Sequence, residues 1–161
     1  MFANAAGGGA IAPENCLLRI PPGGTDFEAD YYYTVPSLTG GRPSITELEA
    51  GVNNGGLAFA KMVYLDRLAG GPAPVDFDYW SEQAHKLWRI KLAKPPVAEE
   101  VNGIPFSAIG FSGSAMGGHL FSGESLDAGA TSDVYETDPA TNTATLRFRM
   151  DGYFNGLHEL K

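Results

Sequence analysis

Leu57-Ala58-Phe59-Ala60-Lys61-Met62-Val63-Tyr64-Leu65-Asp66-Arg67-Leu68 is the stretch on which the reading of the fold turns. Wound at 3.6 residues per turn, Leu57, Tyr64, Leu65 and Leu68 share one side, and Phe59, Met62 and Val63 occupy another. A segment apolar around so much of its circumference reads as a central helix. Gly70-Gly71-Pro72 supplies the expected stop, a left-handed cap followed by a residue that cannot continue.

On the N-terminal side, Ser44-Ile45-Thr46-Glu47 has the pattern of a capping box, so a short helix is expected from Ser44 to the breakers at Gly51 and Asn53-Asn54-Gly55-Gly56. On the C-terminal side, a third helical candidate follows Pro72 and Pro74. Asp76, Asp78 and Glu82 lie in its opening turns and Lys86, Arg89, Lys91 and Lys94 toward its end, the order the helix macrodipole favours. Phe77, Trp80, Ala84, Leu87 and Trp88 form its apolar stripe, but Lys91 falls on the same stripe. Residues 89–93 therefore stay open between helix and a strand with Trp88, Ile90 and Leu92 inward, and Pro95-Pro96 ends either version.

Further out the pattern is extended. Residues 17–35 read as strands around the turn Pro21-Pro22-Gly23-Gly24, and Tyr31-Tyr32-Tyr33 cannot all face one core because strand side chains alternate. Residues 104–111 form a strand, and 131–137 and 143–150 flank Asp138-Pro139-Ala140-Thr141-Asn142 as a hairpin. In the returning strand Leu146, Phe148 and Met150 are expected on one side and Arg147 and Arg149 on the other. The expected fold class is α+β: two or three helices from about 44–92 packed on a mostly antiparallel sheet from 16–35 and 104–158. Residues 14–161 read as one domain, preceded by a Gly/Ala-rich arm over 1–13.

Composition bounds the function. The 161 residues are enough for one core and short for two. The net charge of -8 opposes nucleic-acid binding, which needs clustered Lys and Arg. Charge is segregated, with net -4 over 1–60, +2 over 61–94 and -6 over 95–161, as head-to-tail assembly could use. No apolar run approaches the roughly 20 residues of a membrane span. A single cysteine, Cys16, excludes an internal disulfide. The first fifteen residues lack the basic and apolar regions of a signal peptide, so synthesis in the cytoplasm is expected, with later incorporation into a particle.

Catalytic chemistry has thin support. Gly110-Phe111-Ser112-Gly113-Ser114-Ala115-Met116-Gly117-Gly118-His119 is a Gly/Ser-rich loop with the outline of a nucleophile elbow, but Gly-x-Ser-x-Gly spacing fails with either Ser112 or Ser114 as the nucleophile. His119 and His158 are candidate bases by identity only. Glu82 and His85 stand one helical turn apart without the duplicate a metal site in a bundle needs, so no metal and no cofactor is assigned.

The leading expectation is a non-enzymatic assembly protein of a homomeric or multi-protein particle, such as a virion. Its partners would be copies of itself or other subunits, contacted through Phe2 and Ile11 of the arm and through Tyr31, Tyr32 and Tyr33. The alternatives are a small hydrolase or ligand-binding enzyme using residues 110–119, and a carbohydrate- or peptide-binding module using the tyrosine run.

Overall fold

The computed structural model describes residues 15–41, 44–52, 56–68, 82–127 and 129–158. The arm over 1–13, with Phe2 and Ile11, lies outside these residues, as does the part of the third helical candidate that holds Phe77 and Trp80. Strands β1 (Cys16–Leu18) and β2 (Tyr32–Thr34) lead into the only α-helix among the described residues, α1 (Val35–Thr39). Pro36 at its start supplies a preset φ, and Gly40, at φ 66°, supplies the left-handed cap that ends it.

Then follow β3 (Ser44–Val52), β4 (Leu57–Val63), a 3-10 turn (Leu65–Arg67), β5 (His85–Lys91) and β6 (Val97–Glu100). The remaining strands are β7 (Ala108–Met116), β8 (His119–Ser125), β9 (Thr131–Asp138) and β10 (Thr143–Asp151). They make three antiparallel sheets: β1-β2, a central sheet β3-β4-β5-β6 and an outer sheet β10-β9-β8-β7.

The α+β expectation is overturned. The segments read as helices at 44–52, 57–63 and 85–91 are β3, β4 and β5. The reason lies in what covers the central sheet. Ala58, Ala60 and Met62 of β4, with Trp88 and Ile90 of β5, pack against Leu17, Tyr31 and Val35 of the N-terminal layer. Phe59 and Leu87, on the opposite face, pack against Leu120, Tyr135 and Ala144 of the outer sheet. With both faces buried, alternate residues are apolar on either side, and an apolar run of that kind fits a helical wheel as readily as a strand.

Strand β5 also settles residues 89–91. Lys91 ends the strand exposed, opposite Leu57, which removes its conflict with an apolar stripe. The capping-box pattern at Ser44 lies inside β3, where the chain pairs with β4 from Ser44 to Val52 and no helix terminus exists to cap.

The hairpin expected around Asp138 is present as β9 and β10. Its side-chain assignment needs one correction. Leu146 lies opposite Tyr135 and Phe148 opposite Val134, so a bulge absorbs Arg147 and shifts the alternation there. Leu146 therefore shares a face with Arg149, which pairs with Asp133, and Phe148 shares the other with Met150.

The 110–119 segment is a hairpin, not a loop. Strand β7 runs to Met116, which pairs with His119, and Gly117 and Gly118 make the two-residue turn at φ 59° and 82°. Positive φ at both turn positions is what those glycines supply. No helix among the described residues is long and apolar enough to cross a membrane.

Candidate functional site

Between the central and outer sheets lies a cluster of charged and hydroxyl side chains with no exposed surface. Lys61 of β4 and Glu124 of β8 form an ion pair in which both side chains are 0% exposed. The Lys61 Nζ also donates to Ser107 Oγ at 2.6 Å, and Ser107 Oγ donates to Glu124 Oε2 at 2.5 Å. Ser122 Oγ reaches the second carboxylate oxygen, Oε1, at 3.2 Å.

His85 of β5 stands at the edge of this cluster, fully buried, with its backbone bonded in both directions to that of Ser107 at 3.0 Å. Burial, and then the nearby Lys61 charge, hold the His85 imidazole down to about 4, against weaker opposing effects of the Ser107 and Glu82 backbone. The imidazole is therefore neutral at physiological pH. A serine, a lysine, a carboxylate and a histidine have nucleophile chemistry in principle, but these are sealed from water and substrate. Their arrangement joins two sheets.

The serine and histidine candidates are distributed along the outer sheet. Ser112 pairs with Gly123, Ser114 with Phe121, and His119 with Met116, which places all three on the β7–β8 hairpin. Ser114 Oγ accepts the Leu157 N–H at 3.0 Å, so its hydroxyl anchors the C-terminal segment. His119 Nδ1 lies 3.0 Å from Glu136 Oε1, on the neighbouring β9, and Glu136 also takes Arg147. His158 is exposed near the end of the described chain. Among the described residues no hydrogen bond joins Ser112 or Ser114 to His119 or His158, and no group of three or more His, Cys, Asp and Glu could hold a metal ion.

The tyrosine run divides by burial. Tyr31 is 0% exposed and meets Tyr33 edge to face, with ring centroids 5.2 Å apart. Arg19 lies 4.2 Å from the Tyr31 ring centroid, donates to Glu28 Oε2 at 2.8 Å, and ties the layer to the central sheet through the Leu92 carbonyl at 2.8 Å. Burial raises the Tyr31 hydroxyl above its ordinary range, and the Arg19 and Lys94 contacts lower the Glu28 carboxyl below its own. Tyr32 points outward at 58% exposure, and the same layer exposes Phe27 at 49% and Ile20 at 42%. The Glu28 N–H bonded to the Arg19 carbonyl at 2.9 Å brings the stretches carrying Phe27 and Ile20 side by side.

The grouping of Lys61, His85, Ser107 and Glu124 is not legible in the sequence, where His85 stands out only beside Glu82. One signal was legible: Lys61 interrupts an apolar run whose other members are buried, and a buried lysine demands a partner. No protein-family model matches the chain and no curated protein matches it, so the functional reading rests on these residues and their geometry.

Proposed function

We propose that the chain is a non-enzymatic assembly protein, a subunit of a larger particle, and that the β1–β2 layer is the surface it presents to a neighbouring copy. The observation that supports this is the run of three exposed large apolar side chains in the N-terminal layer, Tyr32 in β2 and Ile20 and Phe27 in the stretch that connects β1 to β2. Grouped apolar exposure of this kind characterises protein–protein contact surfaces, whereas scattered single residues do not. Tyrosine and phenylalanine contribute large contact area at low entropic cost, which suits them to anchoring a contact. The Gly/Ala arm directly precedes this layer in the chain, and Phe2 and Ile11 are its two large apolar anchors for the same neighbour.

The test is association measured by light scattering across a dilution series, comparing the wild type with the double variant Phe27→Ser/Tyr32→Ser. Both side chains are about half exposed, so the fold should survive, as circular dichroism will verify. The expected result is an oligomer whose dissociation constant rises about ten-fold or more in the variant. A wild type that stays monomeric at every concentration, or a variant that associates equally well, refutes the reading.

A further inference from the structure

Strand β10 ends one side of the outer sheet, whose order is β10-β9-β8-β7. Its first residues are covered, because Asn102 donates to the Asn142 carbonyl at 3.0 Å and accepts the Ala144 N–H at 2.8 Å. Past this point the strand is bare: Leu146, Arg147, Phe148, Arg149 and Asp151 are all exposed. The Gly152 N–H turns inward to the Ala130 carbonyl at 2.8 Å. Alternation along the ladder then directs the backbone groups of Phe148 and Met150 inward as well, and those of Arg149 and Asp151 outward. Among the described residues no backbone hydrogen bond takes those outward groups.

A free edge is a template for another strand, and proteins guard such edges with bulges and charge. Here both guards leave the end of β10 open. The bulge lies at Arg147, before the stretch Phe148–Asp151, which pairs regularly with β9. Arg149 is held by Asp133, with Nη2 to Oδ2 at 2.8 Å, so its charge is already matched within its own sheet. The side chains of this stretch are also complementary to themselves. Two copies of β10, set antiparallel about a two-fold axis at Met150, place Arg149 of each opposite Asp151 of the other and Phe148 opposite Gly152. Arg149 and Asp151 share one face of the sheet, so both opposite-charge pairs form there. Phe148 and Met150 share the other face, where the two copies join them into one apolar cluster. The residues that meet as charge pairs are the ones whose backbone groups point outward, so one register satisfies both.

We propose that β10 is the edge at which a second copy of this chain adds its own β10, antiparallel and centred on Met150, joining two outer sheets into one continuous sheet. The contact is separate from that of the β1–β2 layer and does not rest on it. A subunit carrying both surfaces has two different contacts, which is what growth beyond a dimer requires.

Two measurements on the full chain decide it. The first is light scattering across a dilution series in the Phe27→Ser/Tyr32→Ser background, where the β1–β2 surface is disabled. This background should still dimerise, and adding Asp151→Lys, which sets a lysine opposite the partner's arginine, should raise the dissociation constant about ten-fold or more. Asp151 is exposed, so the fold should survive the change. The second is cross-linking with Cys16 replaced by alanine. Met150→Cys puts two cysteines across the axis within disulfide reach, and Thr145→Cys, exposed on the same strand, puts them far apart. Oxidation should link Met150→Cys into dimers and leave Thr145→Cys unlinked. If Asp151→Lys does not fold, the cross-link alone decides. A monomeric Phe27→Ser/Tyr32→Ser background, a dimer indifferent to Asp151→Lys, or equal linkage at the two cysteines overturns the β10 contact. Failure of the β1–β2 contact reads differently: Phe27→Ser/Tyr32→Ser then associates as the wild type does, and Asp151→Lys alone abolishes association.

Discussion

The two faces of the central sheet are built from the same two strands and solved differently. Toward the N-terminal layer, β4 and β5 present Ala58, Ala60, Met62, Trp88 and Ile90, a dry apolar cluster. Toward the outer sheet they present Phe59 and Leu87 together with Lys61 and His85, whose partners are Ser107 and Glu124. A dry face tolerates any volume-conserving arrangement of apolar groups. The polar face tolerates one register, because a slip by one residue would carry Lys61 and His85 into the apolar cluster. The first face supplies cohesion and the second supplies uniqueness.

Breaking the polar face should produce the largest effect. Lys61→Met removes the cation and leaves Glu124 buried with hydroxyl donors alone, which should cost about 3–5 kcal/mol in urea unfolding. The double variant Lys61→Met/Glu124→Leu removes both charges and should regain most of that loss, to within about 1–2 kcal/mol of the wild type. A single variant as stable as the wild type would show that the pair does not constrain the interface, and the contrast between the faces would fail.

A second experiment extends the contrast to the far side of the outer sheet, where the covering is a strand-free segment. There Phe154, 4% exposed, lies directly on Gly123 of β8, and its N–H reaches Ser132 Oγ at 3.2 Å. A Cβ at position 123 would stand 2.5 Å from the Phe154 Cβ, so backbone and not only a flexible tip must move. Gly123→Ala should therefore cost about 1–3 kcal/mol and make residues 152–158 far more susceptible to limited proteolysis. Unchanged protease resistance would mean that the segment is held by its hydrogen bonds to Ala130, Ser132 and Ser114 and not by the packing of Phe154 on Gly123.

These contrasts also explain what could be read from the sequence. The β9–β10 hairpin was legible because β10 has polar residues between its apolar ones, and because its turn carries local chemistry. Asp138 Oδ1 accepts the Ala140 N–H at 2.8 Å, and Asn142 adopts φ 56°. Strands β4 and β5 were not legible, because burial on both faces erases the polar half of the alternation that marks a strand.

The candidate site hid for a different reason. Lys61 meets Ser107 across 46 residues of chain and Glu124 across 63, so no local spacing announces it. Ser112, Ser114 and His119 drew attention through glycine neighbours that serve the hairpin: Gly117 and Gly118 turn it, and Gly113 sits within β7. Glycine near serine marked backbone geometry here.

The smallest effect belongs to the dry face, and its value is as a control on the other. Ile90 is 0% exposed and packs with Trp88 and Met62, away from every charged member of the polar cluster. Ile90→Val deletes one methylene and should cost about 0.5–1.5 kcal/mol. Because the loss is that of one methylene among apolar neighbours, the cost should be the same at pH 7 and at pH 5, whereas variants of His85 change their difference from wild type across this interval. A pH-dependent Ile90→Val cost would mean that the two faces are coupled through β5, so that loosening one shifts the proton affinity of the other.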